Sequence, residues 1–257
     1  MTEFITTERK GNVFIVTMNR PEVYNSVHPP MHHEMHEAWQ EYEADTSLWC
    51  AILTGAGPKA FSAGNDLKYT ASGGKMKGPD SGFAGLSNNF TREKPIIAAV
   101  NGFAMGGGFE TAMACDLLIA AENATFALPE VKVGFFAAAG GVQMLTRFVP
   151  RKIANEMILT GRHIDAAEAK AIGIANDVVP QDKLMEAAME KAAQITSVSP
   201  SAVKASKRVL NGMDTGHTFA ESMEYSRKVI MDLRETEDFN EGVTAFVEKR
   251  APKWLGH

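Results

Sequence analysis

The N-terminal part of the chain carries a pattern of apolar and polar positions that predicts two strands and a helix. Residues 4–10 and 13–18 alternate between apolar and polar around Gly11-Asn12, which is typical of a β-hairpin. Between positions 29 and 45, apolar residues recur every three or four positions, namely Met31, Met35, Ala38 and Tyr42. That spacing places them on one face of a helix.

Two later stretches share one order of elements: an apolar strand, a glycine turn, small residues and a short helix. The first begins with a buried strand at residues 50–54 and reaches Asn65-Asp66. The second begins with a strand at 95–100, passes Gly106-Gly107-Gly108 and continues into a helix predicted at 109–115. We therefore expect a strand–turn–helix unit that is used at least twice.

The remaining patterns divide the chain into a mixed part and a helical part. We expect strands at 116–121, 125–128 and 176–179, helices at 83–91, 142–148, 151–160 and 165–172, and a mobile surface loop at 70–81 that contacts the ligand or is merely solvated. After Pro180 the pattern is helical throughout, with helices predicted at 184–195, 199–210, 219–233 and 237–248. The shift near 180–200 predicts a core of residues 1–195 and a helical region of residues 196–257.

Composition excludes several classes of protein. The net charge of the 257 residues is −5 and no long block of Lys and Arg occurs, so nucleic acid is not an expected partner. Cys50 and Cys115 lie in or beside apolar runs, as expected for buried free thiols in a reducing compartment. The chain has no signal-like N-terminus and no apolar run of about 18 residues, so we expect a soluble, cytoplasmic protein with no membrane partner. We expect His28, His32 and His33 to be solvated helix positions, and no metal site.

The glycine stretch suggests chemistry on an anion. Glycines just before a helix leave backbone N–H groups free to point at a ligand, and Glu110 follows in the predicted first turn. An oxyanion-stabilising backbone and a candidate base would then lie side by side. That pairing indicates acyl-type or enolate chemistry.

Several segments, in order and at similar spacing over nearly the whole chain, resemble the enoyl-CoA hydratase/isomerase (crotonase) family. They are Leu53-Thr54-Gly55, Ala63-Gly64-Asn65-Asp66-Leu67-Lys68, Ala98-Ala99-Val100-Asn101-Gly102, Gly106-Gly107-Gly108-Phe109-Glu110, Cys115-Asp116-Leu117, Phe126-Ala127-Leu128-Pro129-Glu130, Leu159-Thr160-Gly161-Arg162 and Ala245-Phe246-Val247-Glu248-Lys249-Arg250. The resemblance implies an α/β fold, a spiral of ββα units with a C-terminal helical region that assembles trimers or hexamers. It also implies an acyl-CoA thioester as substrate and no cofactor besides the coenzyme A that the substrate carries.

The resemblance also implies roles for individual residues. The backbone N–H groups of Asn65 and Gly107 would form the oxyanion hole for the thioester carbonyl, and Glu110 and Glu130 would be the catalytic carboxyls. The residues expected to contact the substrate are Ala63, Gly64, Asp66, Leu67, Lys68, Gly106 and Ala138. The implied reaction is reversible addition of water across the 2,3 double bond of a 2-enoyl-CoA.

Hydration needs one ionised and one protonated carboxyl. A helix N-terminus favours an anion, so we expect Glu110 to activate water. Glu130 lies in an apolar setting, so we expect it to give its proton to C2. A Δ3,Δ2-enoyl-CoA isomerase remains an alternative, while a dinucleotide-binding module lacks the glycine phasing and the acidic residue that such a module needs. A non-catalytic homologue would be expected to lack one of the two glutamates, and both are present.

The sequence departs from the family where many members carry Pro-Gly after the second glutamate. Ala137 and Ala138 stand there. A methyl group at Ala138 would narrow the acyl pocket. The segments 82–86, 126–130 and 153–157, together with the C-terminus, are similar to the crotonobetainyl-CoA hydratase branch.

Overall fold

The computed structural model describes residues 3–74 and 77–257, and in these residues strands and helices alternate up to position 183. Strands β1 to β10 span Ile5–Lys10, Val13–Met18, Cys50–Gly55, Ala60–Ser62, Ile96–Val100, Phe103–Met105, Leu117–Ala121, Thr125–Ala127, Ile164–Asp165 and Asp177–Val179. Helices α1 to α10 span Pro29–Ala44, Leu67–Ala71, Gly107–Met113, Gly141–Phe148, Arg151–Thr160, Ala166–Ala171, Leu184–Thr196, Pro200–Asp214, Phe219–Arg234 and Glu237–Glu248. Short 3₁₀ helices span Pro21–Val23, Phe83–Gly85, Pro129–Val133 and Gln181–Lys183.

The strands form two sheets that share one repeating unit. The six-stranded sheet has the order β1-β2-β3-β5-β7-β10, and the four-stranded sheet has the order β4-β6-β8-β9. Successive units place β3, β5 and β7 side by side in the first sheet, and β4, β6 and β8 side by side in the second, all parallel. The expected repeat is therefore present, and it occurs three times. Each turn of the spiral stacks on the one before it.

Both faces of the sheet are buried at its central strands β3, β5 and β7, which explains why these strands read as continuous apolar runs. On one face Val16, Leu53 and Ala98 pack against α1 and the site-forming segments. On the other face Ile52 and Ile97 pack against apolar residues of α7. Adjacent residues of one strand thus face different layers, because successive side chains of a strand point to opposite sides.

The segment at 83–91 differs from the predicted helix. Only Phe83–Gly85 forms a turn of 3₁₀ helix, and Ala84 has a φ of +54°. Gly85 has a φ of +69°, and a methyl group there would lie 2.9 Å from the Cα of His36 on α1. Regular helix does not form here because Ala84 and Gly85 have a left-handed backbone and Gly85 passes close to α1.

Two of the three histidines are not solvated, as we had expected them to be. His28 and His32 are buried, and only His33 is exposed. The buried face of α1 is wider than the one predicted from Met31, Met35, Ala38 and Tyr42, because it also includes His32. Within residues 3–74 and 77–257, no group of three metal-ligating side chains converges.

The loop expected at 70–81 is only partly accessible to comparison. Helix α2 continues to Ala71, and irregular backbone follows. Residues 75 and 76 lie outside the described residues, as do residues 1 and 2. Gly78 and Pro79 line the cavity of the site. Contact of the loop with a ligand and the mobility of the loop both stay predictions.

The C-terminal helices follow the mixed part of the fold, as predicted. Lys207 on α8 donates from Nζ to the Lys94 carbonyl at 2.6 Å and to Asp116 Oδ2 at 2.6 Å, which ties this region to the large sheet. Asp238 on α10 is buried and its Oδ1 accepts from the backbone N–H of Leu255 at 2.8 Å. The division into units at residue 195 stays a prediction. None of the helices in the described part of the chain is long and apolar enough to cross a membrane.

Candidate active site

A cavity of about 500 Å³ opens where the repeating units meet. Its wall is built from the ends of two units, from one segment that follows β8, and from α1 with the loop beside it. The lining residues are Ala63, Asn65, Leu67, Gly106, Gly107, Glu110, Pro129, Glu130, Lys132, Val133, Phe135, Phe136, Ala138, Ala139, His32, Gly78, Pro79, Gly82 and Phe83. The wall is mostly apolar, with a few polar groups, as is usual for small-molecule sites.

Two backbone N–H groups of this wall are left free by the local structure. Asn65 forms a parallel bridge with Val27, in which Val27 donates to the Gly64 carbonyl at 2.7 Å and accepts from the Asp66 N–H at 3.0 Å. This pairing turns the N–H of Asn65 itself away from Val27. Gly107 is the first residue of α3, where an N–H has no partner within the helix. Within the described residues, neither N–H donates to a protein acceptor.

The two turns that carry these N–H groups touch each other through backbone atoms. A methyl group on Gly64, whose φ is +83°, would lie 2.8 Å from the Gly107 nitrogen and 2.6 Å from the Met105 carbonyl oxygen. A methyl group on Gly108 would overlap the Ser62 carbonyl. Glycine is therefore required at both positions, because any side chain would push the turns apart. The spacing of the two donors is set by this contact.

Glu110 lies inside α3, and its side chain is 3 % exposed. Its Oε1 accepts from the Gly141 N–H at 2.8 Å, at the start of α4. A methyl group on Gly141 would lie 2.9 Å from that oxygen, so Gly141 allows the N–H to approach. The bond fixes the carboxyl in the cavity wall.

Glu130 lies in the 3₁₀ helix Pro129–Val133, across the cavity wall from Gly106. A methyl group on Gly106 would lie 2.7 Å from Glu130 Oε1. Glu130 Oε2 is buried and has no hydrogen-bond partner among the described residues. A buried carboxyl oxygen without a donor is costly when charged, and it is a natural place for a proton.

Burial governs the titration of both carboxyls. Loss of water, together with the nearby Glu130, raises the pKa of Glu110 to about 7 against the opposing effect of the Gly141 N–H. Burial also raises the pKa of Glu130. We expected the helix N-terminus to favour the anion of Glu110, but the net effect is a raised pKa, because desolvation outweighs the helix. Each of the two carboxyls therefore holds its proton to a higher pH than an exposed glutamate does.

The structure brings most of the predicted site residues together. Ala63, Asn65, Leu67, Gly106, Gly107, Glu110, Glu130 and Ala138 all line the cavity. Gly64, Asp66 and Lys68 do not. Gly64 is the spacer between the turns, and Asp66 Oδ2 accepts from Arg20 at 3.0 Å while its Oδ1 caps α2 through the Tyr69 N–H. Lys68 is exposed on α2.

Sequence reasoning did not assign the aromatic and imidazole part of the wall to the site. Phe83, Phe135 and Phe136 line the cavity, and so does His32. One signal for His32 was available, since it lies one position beyond Met31 and three before Met35, at the edge of the apolar face. Phe135 and Phe136 follow Glu130 closely and had only their proximity in sequence to indicate a role.

Comparison with known proteins agrees with this geometry. The family model described as enoyl-CoA hydratase/isomerase matches residues 8–257. The chain belongs to the enoyl-CoA hydratase/isomerase family.

Relatives in this family are similar over their full length. Carnitinyl-CoA dehydratase of Salmonella typhi is 42% identical over 265 residues, covering 100% of both chains. The crystal structure of an enoyl-CoA hydratase from Mycobacterium tuberculosis H37Rv has a TM-score of 0.93 and 34% identity over 99% of both chains. That of carnitinyl-CoA hydratase from Mycobacterium avium has 43% identity and a TM-score of 0.79 over 99% of both chains. The predicted crotonase fold is thereby confirmed.

Proposed function

We propose that the protein is an enoyl-CoA hydratase, a hydro-lyase that adds water reversibly across the 2,3 double bond of a 2-enoyl-CoA thioester. One observation carries the proposal: two backbone N–H donors without an acceptor among the described residues, the buried Glu110 and the half-buried Glu130 line the same cavity. The family membership and the names of the relatives support it.

The donors would act on the charge that the reaction creates. Attack of water at C3 moves negative charge to the thioester oxygen, and the Asn65 and Gly107 N–H groups would hold that oxygen. Preorganised donors of this kind typically contribute about 10²–10³ in rate each. Their spacing does not change during the reaction, because it is fixed by the contact between the turns.

The carboxyls would move the protons. Glu110, held by the Gly141 N–H, would accept a proton from the attacking water. Glu130, whose Oε2 has no partner among the described residues, would deliver its proton to C2. The water oxygen then forms the C3–O bond, and the pair is left with one proton as before. A pKa of about 7 suits Glu110 to exchange a proton near neutral pH, and burial, which raises the pKa of Glu130, favours the protonated form that a proton donor needs.

The decisive test is turnover of crotonyl-CoA followed through loss of the enoyl-thioester absorbance. We expect hydration by the wild-type protein and a loss of about 10²-fold or more in Glu130→Gln, with an unchanged circular dichroism spectrum. Absence of hydration with appearance of double-bond migration from a 3-enoyl-CoA would instead establish the isomerase alternative. Near-normal hydration by Glu130→Gln would refute the two-carboxyl scheme.

The proposed chemistry uses groups of the chain and the coenzyme A of the substrate, with no further cofactor. We expect full activity after exhaustive dialysis against a chelator. Lost activity that returns with a divalent metal would contradict this part of the proposal.

A narrower substrate has specific support. The identity of 42% to carnitinyl-CoA dehydratase over the full length favours the carnitinyl-CoA and crotonobetainyl-CoA pair as substrates. Comparing kcat/KM for crotonobetainyl-CoA and crotonyl-CoA tests this directly. A preference for crotonyl-CoA would place the chain among general enoyl-CoA hydratases.

We also propose that the protein is a homotrimer or a hexamer made of two trimers. The support is an exposed apolar surface on α9 and α10, which includes Phe219 at 78% and Phe246 at 86% exposure. Isolated monomers seldom expose so many large apolar side chains together. Light scattering coupled to size exclusion should give a mass three or six times that of the chain.

The free thiols Cys50 and Cys115, whose pKa values burial raises to about 12, support a cytoplasmic location.

A further inference from the structure

His32 presents one fixed hydrogen-bond donor to the cavity. Its Nδ1 accepts from the Ala84 N–H at 2.9 Å. A backbone N–H can only donate, so Nδ1 carries no proton and the ring proton lies on Nε2. Within residues 3–74 and 77–257, Nε2–H has no protein acceptor, although the ring lines the cavity and the residue is only 4% exposed.

The contacts around the ring hold it in this orientation. Side chains of α1 bind both backbone groups of Ala84. Its N–H donates to His32 Nδ1, and its carbonyl accepts from Trp39 Nε1 at 3.0 Å. The Phe83 ring meets the imidazole edge to face at a centroid distance of 4.6 Å. A methyl group on Gly78 would lie 3.7 Å from Cγ and 3.8 Å from Cδ2 of the imidazole. Rotation of the ring would break the bond to Ala84.

The same contacts place the donor relative to the reacting group. The Phe83 ring fills the space beside Gly107, where a methyl group would overlap it. His32 therefore lies one aromatic ring away from a proposed oxyanion donor. A thioester whose carbonyl binds at Gly107 would bring one of its two arms along this wall.

We infer that the acyl arm takes this path, that His32 is a specificity-determining residue, and that its Nε2–H favours acyl groups with a hydrogen-bond acceptor oxygen beyond C3 over alkyl chains of the same length. An alkyl chain in the same place would cover that N–H without pairing it. A buried polar group left unpaired by the ligand is disfavoured, and sites built around such a group discriminate by more than one missing methylene does.

The charge state of the His32 ring favours a neutral oxygen acceptor on the acyl group over an anionic group. Burial and the neighbouring His33 lower the pKa of His32 to about 4, so the ring is neutral under ordinary conditions. It therefore offers one directional donor and no positive charge. The inferred preference should be the same at pH 6 and pH 8.

The test compares two thioesters that differ by one atom, 4-methoxybut-2-enoyl-CoA and hex-2-enoyl-CoA. The ether oxygen accepts a hydrogen bond but cannot donate one, and it replaces a methylene of similar size. We expect wild-type kcat/KM to favour the ether. In His32→Leu the ratio of kcat/KM for the ether to kcat/KM for the alkyl thioester should fall by about tenfold or more. A change of this size corresponds to one unpaired buried donor. Any difference in intrinsic reactivity cancels when the ratios are compared.

Two further variants separate a contact with substrate from a structural effect. His32→Gln keeps an amide N–H and an acceptor for Ala84, and we expect it to retain part of the ratio. His33→Leu changes the exposed neighbour on α1 and should leave the ratio unchanged. A wild-type ratio below one, or a ratio that survives in His32→Leu, would overturn the inference.

The inference rests on the proposed enoyl-CoA hydration, and binding measurements keep the two apart. Calorimetry with the saturated 4-methoxybutanoyl-CoA and hexanoyl-CoA requires no turnover. Tighter binding of the ether that is lost in His32→Leu would support the inference even if crotonyl-CoA were not hydrated. Equal binding of both thioesters by wild type, together with normal hydration of crotonyl-CoA, would refute the inference and leave the proposed function standing.

Discussion

Replacing Glu110 by glutamine should inactivate the protein and, at alkaline pH, make its fold more stable. The carboxyl is 3% exposed, and burial raises its pKa from an ordinary 4.5 to about 7. Between these two values the folded protein binds a proton at Glu110 that the unfolded chain has already released. Stability must therefore fall as the pH rises through this window.

The size of the effect follows from the two pKa values. Each pKa unit corresponds to about 1.4 kcal/mol, so an ionised Glu110 lowers the free energy of unfolding by up to about 3 kcal/mol above pH 8. Glutamine keeps an oxygen that can accept from the Gly141 N–H, although this bond is weaker than one to a carboxylate. We expect a net gain of about 1–3 kcal/mol, or about 2–10 °C in Tm for a chain of this size.

The assay is thermal unfolding of wild type and Glu110→Gln at pH 5 and pH 8.5. At pH 5 the folded wild type holds Glu110 protonated, so most of the difference between the two proteins is the cost of the substitution itself. Subtracting the difference at pH 5 from that at pH 8.5 removes this cost. Glu122→Gln, which alters an exposed carboxylate, should show no such pH-dependent gain.

Activity supplies the second half of the prediction. Hydration of crotonyl-CoA by Glu110→Gln should fall by about 10²-fold or more, while wild-type kcat/KM should rise with pH through about 7 as the carboxyl ionises. A variant whose Tm advantage does not grow between pH 5 and pH 8.5 would refute the claim that Glu110 is a destabilised anion. If the prediction is confirmed, the buried Glu110 carboxylate lowers the stability of the fold and is present because activity needs it.

Three other changes test separate parts of the structure. Gly64→Ala should separate the two oxyanion donors and lower kcat by about 10²-fold, with near-native circular dichroism; normal kcat would show that the spacing does not matter. Burial lowers the pKa of His32 from 6.5 to about 4, so stability should decline as the pH falls from 6.5 to 4, by up to about 3 kcal/mol. Urea unfolding across that range should show a smaller decline in His32→Gln. Ala138→Gly should widen the cavity and raise the ratio of kcat/KM for long over short 2-enoyl-CoA substrates; an unchanged ratio would exclude a role of this methyl group in acyl length.

The repeating order of elements could be predicted from local patterns. Apolar runs located β3, β5 and β7, because strands buried on both faces leave a continuous apolar signature, and glycine turns marked the ends of β3 and β5. The short strands β4 and β6 were less visible, since three residues give almost no periodicity. The failed helix at 83–91 had the right composition, but the contact of Gly85 with α1 is a tertiary effect that no local pattern encodes.

The candidate site was predictable as far as its residues belong to motifs. Asn65, Gly107, Glu110 and Glu130 line one cavity, as their positions in the motifs implied. The pKa of Glu110 was harder to predict. The sequence indicates the helix that carries this residue, but it does not show the desolvation that raises its pKa. His32 escaped assignment for a similar reason, since its partner, the Ala84 N–H, is 52 residues away in the chain.

The contact of Gly64 with Gly107 separates two kinds of evolutionary change. Because backbone atoms alone set the spacing of the proposed oxyanion donors, side chains elsewhere in the cavity can change without disturbing it. The residues at 78–83 and 133–138 come from other segments and supply much of the remaining wall. A lineage could therefore exchange one acyl preference for another through these segments and keep its activation of the thioester intact at every step.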